Sequence, residues 1–294
     1  MAHDHMHNST PAQTPYLIGA GLNTAFIIGE MIFAKIAHSS ALFADALHSV
    51  SDVASLCLAW AAVAVFGIKA SSKRTYGWHN TTILASFVNA VLLLVAVAVI
   101  WWEAVAKLLA GGAPTQGLTV MWVALVGIIV NFVAARFFSH DKDDLNARGA
   151  YVHLLADAGV SVGVVVSGLL IKLTDWYWLD PVVSLLIGLI IIVTSWDIFK
   201  QSLNLLVNGV PAGVDEPAVA AFLTAQEDVL GMHDLHIWGL STTEVALTVH
   251  LLVPAGKQQQ VLDDITAQLQ RRFHIQHLTI QVETQKPNHE YHTI

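Results

Sequence analysis

Apolar residues dominate the first two-thirds of the chain and form six long runs separated by short polar connections. The runs cover approximately residues 16–38, 40–68, 80–106, 117–139, 149–171 and 178–203. A helix needs about 20 residues to cross the hydrocarbon core of a bilayer, and each run is long enough. No run shows the two-residue alternation of an outer-membrane barrel strand. The pattern therefore predicts an α-helical polytopic membrane domain with six transmembrane helices, because helices satisfy their own backbone in lipid.

The pattern changes after Asn208-Gly209-Val210-Pro211, where shorter periodic segments replace the long runs. Helices are predicted at 215–229 and 258–273, and strands at 233–240, 244–253 and 277–283. Alternating apolar positions of this kind are typical of half-buried strands. The αββαβ order predicts a small α+β, ferredoxin-like domain with its helices on one face of the sheet.

Composition and charge support a membrane protein and narrow the possible partners. The chain is 55% hydrophobic and only 12% charged, whereas soluble domains carry roughly 25% charged residues. The single cysteine, Cys57, excludes an intrachain disulfide framework and a zinc site built from cysteines. The net charge of -8 argues against nucleic acid as a partner.

The distribution of Lys and Arg predicts the orientation in the membrane. One side carries seven basic residues, namely Lys69, Lys73, Arg74, Arg136, Lys142, Arg148 and Lys200. The other side carries Lys35, Lys107 and Lys172. By the positive-inside rule both termini are expected in the cytoplasm. The expected organisation is a disordered cytoplasmic tail at 1–15, a transmembrane domain at 16–205 and a cytoplasmic domain at 206–294.

Two of the apolar runs carry matched pairs of histidine and aspartate. His48 and Asp52 are four residues apart in the second run, and His153 and Asp157 repeat the spacing in the fifth. On a helix this spacing places each pair on one face. Two imidazoles and two carboxylates suit a tetrahedral divalent ion, zinc first. A charge at the bilayer centre costs about 2.5–3.5 kcal/mol on insertion scales, so helix packing alone explains two matched pairs poorly.

Other polar residues in the runs leave alternatives open. Asp45 lies on the same helix face as His48. It could orient His48 by accepting a hydrogen bond from its ring without binding the metal itself, it could relay protons, or it could stabilise helix packing. Two roles are likewise open for four further polar residues: they could line a path for the metal ion, or they could form hydrogen bonds between helices. These residues are Asn23, Glu30, Asn89 and Asn131. In the leading tail, His3, His5 and His7 could capture metal weakly.

Strand alternation places several further histidines on the open face of the predicted sheet. His250 points to the face of the sheet away from its apolar neighbour Val249, and His236 points away from the face of Ile237. In the last strand, His277 and Glu283 point away from the apolar positions. By the same alternation His233 falls on the core face. It is the first residue of its predicted strand, however, and alternation fixes the direction of a side chain poorly there. These residues are candidate metal ligands, and the alternative is that they are ordinary surface histidines.

The motifs that carry these residues resemble a known family. The stretches are "SSALFADALHSVSD", "RTYGWHN...ILASFVNA", "HLLADAGVSVG" and "HDLHIWGLSTTEVALTVHLLVP". They resemble the cation diffusion facilitators, especially the zinc/cadmium/cobalt efflux branch, and the resemblance runs from the first helix to about residue 284. It implies a homodimer of six-helix protomers with metallochaperone-like cytoplasmic domains, which exchanges cytosolic metal for external protons by alternating access.

The resemblance also assigns residues. It implies a transport site formed by His48, Asp52, His153 and Asp157, and regulatory zinc near His233, His250 and Glu283, with His277 as a further contributor. One departure concerns the stretch "GWHNTTILA", in which Asn80 and Thr82 replace an Arg and a Glu that relatives commonly carry. A metal site that rests on His79 alone is not expected.

Three classes of function are compatible with metal ligands in a membrane domain. The leading expectation is a proton-coupled antiporter that exports zinc, and also cadmium or cobalt, across a bacterial inner membrane, with no organic cofactor. A membrane metal sensor without transport is the second. A membrane metalloenzyme is the third, and it is disfavoured because catalytic zinc usually keeps an open position and no His-Glu-x-x-His stretch is present.

Overall fold

The computed structural model describes residues 13–66, 68–111, 114–138 and 145–285. The tail histidines His3, His5 and His7 lie outside these residues. The described elements follow the chain as six long helices, a short helix, two strands, a helix and a third strand. This succession matches the order of elements predicted from the sequence.

The six long helices lie within four residues of the predicted apolar runs. They are α1 (Gln13–Ile36), α2 (Ser40–Phe66), α3 (Thr81–Leu109), α4 (Gly117–Phe138), α5 (Leu145–Thr174) and α6 (Leu179–Leu206). By length and composition, the described residues contain four segments able to cross a membrane. These are Thr81–Leu109, Gly117–Arg136, Leu154–Thr174 and Leu179–Leu206. A helical membrane domain is thus confirmed, while the expectation of six crossings stays a prediction.

The outer surface of these helices is apolar. Trp102 is 80% exposed, Leu173 is 71% exposed and Ile129 is 55% exposed. Large apolar side chains on so many outward positions fit a surface that contacts lipid and not water.

The chain divides into two compact units. The first combines Met1–Leu56 with Leu92–Ser195. Its core is built largely from small and branched residues, namely Ala34, Ala37, Ala41, Leu42, Ala44, Leu93, Val97, Ile100, Val120, Ala124, Val164, Ile187 and Ile191. Helices α4 and α5 approach each other closely at Gly117 and Gly168. A Cβ on Gly117 would stand 2.5 Å from the carbonyl oxygen of Gly168, so only glycine permits this contact.

The second unit combines Cys57–Val91 with Trp196–Ile294 and includes the C-terminal domain. That domain contains α7 (Glu216–Thr224), β1 (Gly231–Gly239), β2 (Val245–Leu252), α8 (Gln258–Phe273) and β3 (His277–Glu283). The sheet has the order β1-β2-β3, in which β1 and β2 are antiparallel and β2 and β3 are parallel. The predicted αββαβ order is confirmed.

Both helices of this domain pack on one face of the sheet. Val219 and Leu223 of α7 and Ile265 and Leu269 of α8 share a core with the alternate apolar residues of the strands. Helix α7 begins at the cap Asp215, whose Oδ1 accepts the Ala218 N–H at 3.1 Å. It ends at Thr224 instead of the predicted 229. After the helix, the Gln226 side chain donates to the Phe222 carbonyl, which occupies an acceptor of the last turn.

A β-bulge in β1 decides which face of the sheet its first residues occupy. His233 pairs with His250, whereas His236 pairs with Thr248, so the register shifts between the two histidines. Asp234 lies inside this shift with φ +55°. The bulge inserts one extra residue. His233 and His236 therefore lie on the same face of the sheet, although their spacing in a regular strand would place them on opposite faces.

Candidate metal centres

The first cluster of ligand side chains joins α2 and α5. His48 Nε2 lies 3.8 Å from Asp52 Oδ2 and 3.6 Å from Asp157 Oδ1. One ligand atom from each of the three residues lies within 4.8 Å of the others. We call these three residues the helical centre. Zinc takes nitrogen and oxygen ligands at about 2.0–2.2 Å, so an ion can lie between donors at this separation after a small inward movement.

The helical centre follows from local spacing on each helix and from the packing of two helices. His48 and Asp52 face the same way because they are one turn apart on α2. Asp157 lies on α5, and its side chain is 14% exposed. The predicted fourth ligand, His153, lies four residues earlier on α5, and its side chain is outside the described part of the molecule.

Asp45 lies on α2, one turn before His48, and is almost completely buried. It is 4% exposed, and its Oδ2 accepts a hydrogen bond from the Ser161 hydroxyl of α5 at 3.1 Å. Asp45 is not part of the group of three candidate ligands. It instead links the two helices that carry them.

The second cluster lies on the open face of the C-terminal sheet, and each strand contributes one residue. The residues are His233 of β1, His250 of β2 and Glu283 of β3, which we call the sheet centre. His250 Nδ1 lies 2.9 Å from Glu283 Oε1, and His233 Nε2 lies 3.7 Å from Glu283 Oε2. The two imidazole rings are 4.9 Å apart between centroids. Two imidazoles and a carboxylate are a ligand set that suits zinc.

Two predicted ligands of the C-terminal domain lie apart from this group. His236 Nε2 is 2.9 Å from Asp234 Oδ1. His277 opens β3 opposite Ala246, and its ring makes an edge contact with Tyr76 at 5.5 Å between centroids. Neither residue shares the sheet centre, which contains only the three residues named among those that the structure describes.

Asp234 is a residue that the sequence analysis missed. Its Oδ2 lies 3.8 Å from His250 Nε2, while Oδ1 contacts His236. An aspartate inside a strand of alternating pattern could have indicated the bulge. Asp tolerates the left-handed backbone that a bulge can require.

His79 has a carboxylate partner that the sequence did not predict. Its Nδ1 lies 2.5 Å from Glu244 Oε2, in the connection between β1 and β2. Nearby, the Thr242 N–H donates to the Thr82 hydroxyl at 3.1 Å. Thr82, which replaces the common acidic residue, thus contacts this connection by a neutral hydrogen bond.

The fold and the two centres describe a helical membrane protein with clusters of His, Asp and Glu that could hold a metal ion, one among its helices and one on an α+β domain. The family description "Cation efflux transmembrane domain" matches residues 16–207. A second description, "Cation efflux protein, cytoplasmic domain", matches residues 211–285. The chain belongs to the cation efflux family. This confirms the predicted family and its zinc/cadmium/cobalt branch, and the family consists of transporters and not enzymes.

Curated relatives align with almost the whole chain. The "Metal cation efflux system protein CzcD" of Cupriavidus metallidurans is 35% identical over 286 residues, which are 96% of this chain and 89% of the relative. The "Zinc transporter ZitB" of Escherichia coli is 31% identical, with 97% and 93% covered. The "Cadmium, cobalt and zinc/H(+)-K(+) antiporter" of Bacillus subtilis is 30% identical, with 97% and 94% covered.

Among solved structures, the metal-bound C-terminal domain of the CzcD transporter from the same Cupriavidus species is 36% identical. The match covers 24% of this chain and 99% of that chain, with a TM-score of 0.23.

Proposed function

We propose that this protein is a proton-coupled antiporter that exports divalent transition-metal cations from the cytoplasm by alternating access. Zinc is the leading substrate, and cadmium and cobalt are further substrates. The observation that carries the proposal is the convergence of His48, Asp52 and Asp157 from two apolar helices. The names of the relatives support it, including a human "Proton-coupled zinc antiporter SLC30A2" that is 27% identical over 92% of this chain.

The transport site in this proposal is the helical centre together with His153. Two neutral imidazoles and two carboxylates neutralise a dication, which removes much of the cost of holding it within a membrane. The position of His153 on α5, one turn before Asp157, supports its inclusion. Asp45 is proposed to position α2 and α5 through Ser161 and to act in proton coupling.

Proton coupling follows from the chemistry of these ligands. Carboxylates and imidazoles bind metal only when deprotonated, so metal affinity falls as the pH falls. Imidazole titrates near physiological pH. A site that opens to a neutral cytoplasm loads metal, and the same site takes up protons and releases the metal when it opens to a more acidic exterior.

The proposed arrangement in the membrane has six crossings, both termini in the cytoplasm and a bacterial inner membrane as the location. The domains are the tail at 1–15, the transport domain at 16–205 and the cytoplasmic domain at 206–294. The excess of Lys and Arg on one side supports the orientation. The match to a cytoplasmic cation-efflux domain supports both the location of that domain and a homodimer.

We further propose that the sheet centre binds a regulatory zinc ion. One ligand from each strand converges there, so metal binding would tie the three strands together. His236 and His277 were also predicted as ligands, and in this proposal neither is required, because among the described residues the geometry supports His233, His250 and Glu283.

Zinc flux and internal pH measured together in sealed proteoliposomes test the proposed function. We expect zinc and protons to move in opposite directions, and Asp157→Ala to abolish both movements. The matched control is Asp197→Ala, because Asp197 is 73% exposed on α6 and pairs only with Lys200 among the ion pairs described. Zinc binding without flux in the folded wild type would overturn the antiporter and favour the metal sensor.

A further inference from the structure

A buried carboxyl group that the proposed metal site does not use lies on α1. Glu30 is 1% exposed, and in the described structure neither of its carboxylate oxygens receives a hydrogen bond from an N–H or hydroxyl donor. Among the described residues, the carboxyl of Asp45 on α2 is near enough to interact electrostatically with Glu30. A buried carboxylate without a donor is costly, so the burial of Glu30 requires an explanation.

A proton on one of the two carboxyls supplies that explanation. Two ionised carboxylates repel each other and offer no donor, whereas a protonated carboxyl donates a hydrogen bond to an ionised one. Asp45 Oδ2 already accepts from the Ser161 hydroxyl at 3.1 Å, as an ionised carboxylate does. Glu30 is the more deeply buried of the two and has no donor to stabilise a negative charge, which favours the proton on Glu30 and an ionised Asp45.

We infer that Glu30 is a proton-binding site of the membrane domain, separate from the metal ligands, and that its proton is exchanged as the metal binds and leaves. The inference rests on the proposed antiport and assigns one of the protons that antiport moves. The step forms or breaks only the O–H bond of Glu30, and the proton passes to or from water.

The helical centre is close enough to Asp45 to affect this proton. Asp45 precedes His48 by one turn, about 4.5 Å along the helix axis. Asp45 also interacts electrostatically with His48 and, across to α5, with Asp157. Among the residues that the structure describes, Asp45 is the charged group that interacts with Glu30. The empty, deprotonated site carries two negative charges and the metal-bound site carries none, so metal binding lowers the negative charge near Asp45 and favours loss of the proton from Glu30, and return of the proton favours metal release.

Calorimetric titration of the full-length protein with zinc tests this directly. Repeating the titration in buffers of different ionisation enthalpy gives the number of protons released per zinc bound. We expect Glu30→Gln to release about one proton fewer than the wild type, and the slope of log Kd against pH to fall by about one. Glutamine has nearly the same size as glutamate, and its amide can donate to a neighbouring carboxylate, so the packing is retained.

Two further variants separate a proton site from a structural role. Glu30→Asp keeps a carboxyl and is expected to restore part of the proton release. Glu103→Gln removes another carboxylate of the same unit, which is 39% exposed and lies 3.4 Å from Lys107 Nζ, and it is expected to leave the proton count unchanged. An unchanged proton count in Glu30→Gln would overturn the inference. Loss of zinc binding in a folded Glu30→Gln would also overturn it, because Glu30 would then be a metal ligand.

An infrared measurement on the wild type tests the same proton, and the Glu30→Asp variant assigns the band. Zinc binding should remove the carbonyl band of a protonated carboxylic acid, and Glu30→Asp should shift that band. Absence of any such loss contradicts the inference. Wild-type protein that transports zinc and releases no protons contradicts the proposed antiport itself, whichever residue is examined.

Discussion

The carboxylate of Asp180, in the first turn of α6, caps the N-terminus of α2 together with Ser39. It accepts hydrogen bonds from the Ser39 hydroxyl at 2.5 Å and from the backbone N–H groups of Ser40 at 2.6 Å and Ala41 at 3.3 Å. The Ser39 Oγ in turn accepts the Leu42 N–H at 3.1 Å. Asp180 is fully buried. A negative charge at a helix N-terminus is stabilised by the free N–H groups and the helix dipole.

Removing this cap should destabilise the helix that carries two of the proposed metal ligands. Asp180→Ala leaves buried N–H groups without an acceptor, and we expect a loss of about 1–3 kcal/mol of stability. Asp180→Asn keeps an acceptor oxygen and should lose less. Thermal unfolding of the purified protein checks the order. Asp197→Ala, on the exposed side of the same helix, should match the wild type, and a stable Asp180→Ala would show that the cap contributes little.

His48 is the central residue of the helical centre, because its Nε2 faces both carboxylates. We expect His48→Ala to weaken zinc binding there by at least about 100-fold, since even outer-shell substitutions cost 10–100-fold in metal affinity. Equilibrium zinc binding should be measured in a His250→Ala background, which removes the sheet centre. Near-normal zinc affinity in the double variant would exclude His48 as a ligand.

The residues of the helical centre could be predicted from the sequence because the pattern that identifies them lies within single helices. Two residues four positions apart on a helix lie on the same face. Because a His and an Asp have this spacing in two separate apolar runs, the sequence identifies the two helices that carry the candidate ligands. The Asp180 cap depends on residues that are 141 positions apart, and no local pattern joins them. The electrostatic interaction of Glu30 with Asp45 was hidden for the same reason. The sequence offered Glu30 only as one of several polar residues that could line a pathway.

The sheet centre can be tested by the stability that zinc adds. A ligand at 100 times its Kd stabilises the folded state by about 2.7 kcal/mol, and we expect zinc to raise the unfolding temperature of the C-terminal domain in the full chain. His250→Ala should abolish this increase, and a chelator should reverse it in the wild type. His236→Ala is the matched control, because His236 faces Asp234 and not the sheet centre. Equal losses in the two variants would contradict the proposed ligand set.

The bulge at Asp234 explains why strand parity alone did not place His233. Regular alternation assigns His233 to the core face, whereas the extra residue brings it beside His250. The backbone of Asp234 is left-handed, with φ +55°. Gly and Asn adopt this conformation readily, whereas a β-branched residue does so only under strain.

Substitution of Asp234 should therefore separate the backbone requirement from the side-chain contact. Asp234→Asn keeps the left-handed backbone and a polar side chain, and it should retain zinc binding at the sheet centre. Asp234→Gly keeps the backbone alone. Asp234→Val favours regular pairing, at a cost of about 1–2 kcal/mol if the bulge persists, and should weaken zinc binding most because regular pairing turns His233 toward the core. Zinc-dependent unfolding of the three variants measures the order. If Asp234→Gly loses as much zinc affinity as Asp234→Val, the Asp234 carboxylate near His250 matters more than the bulge.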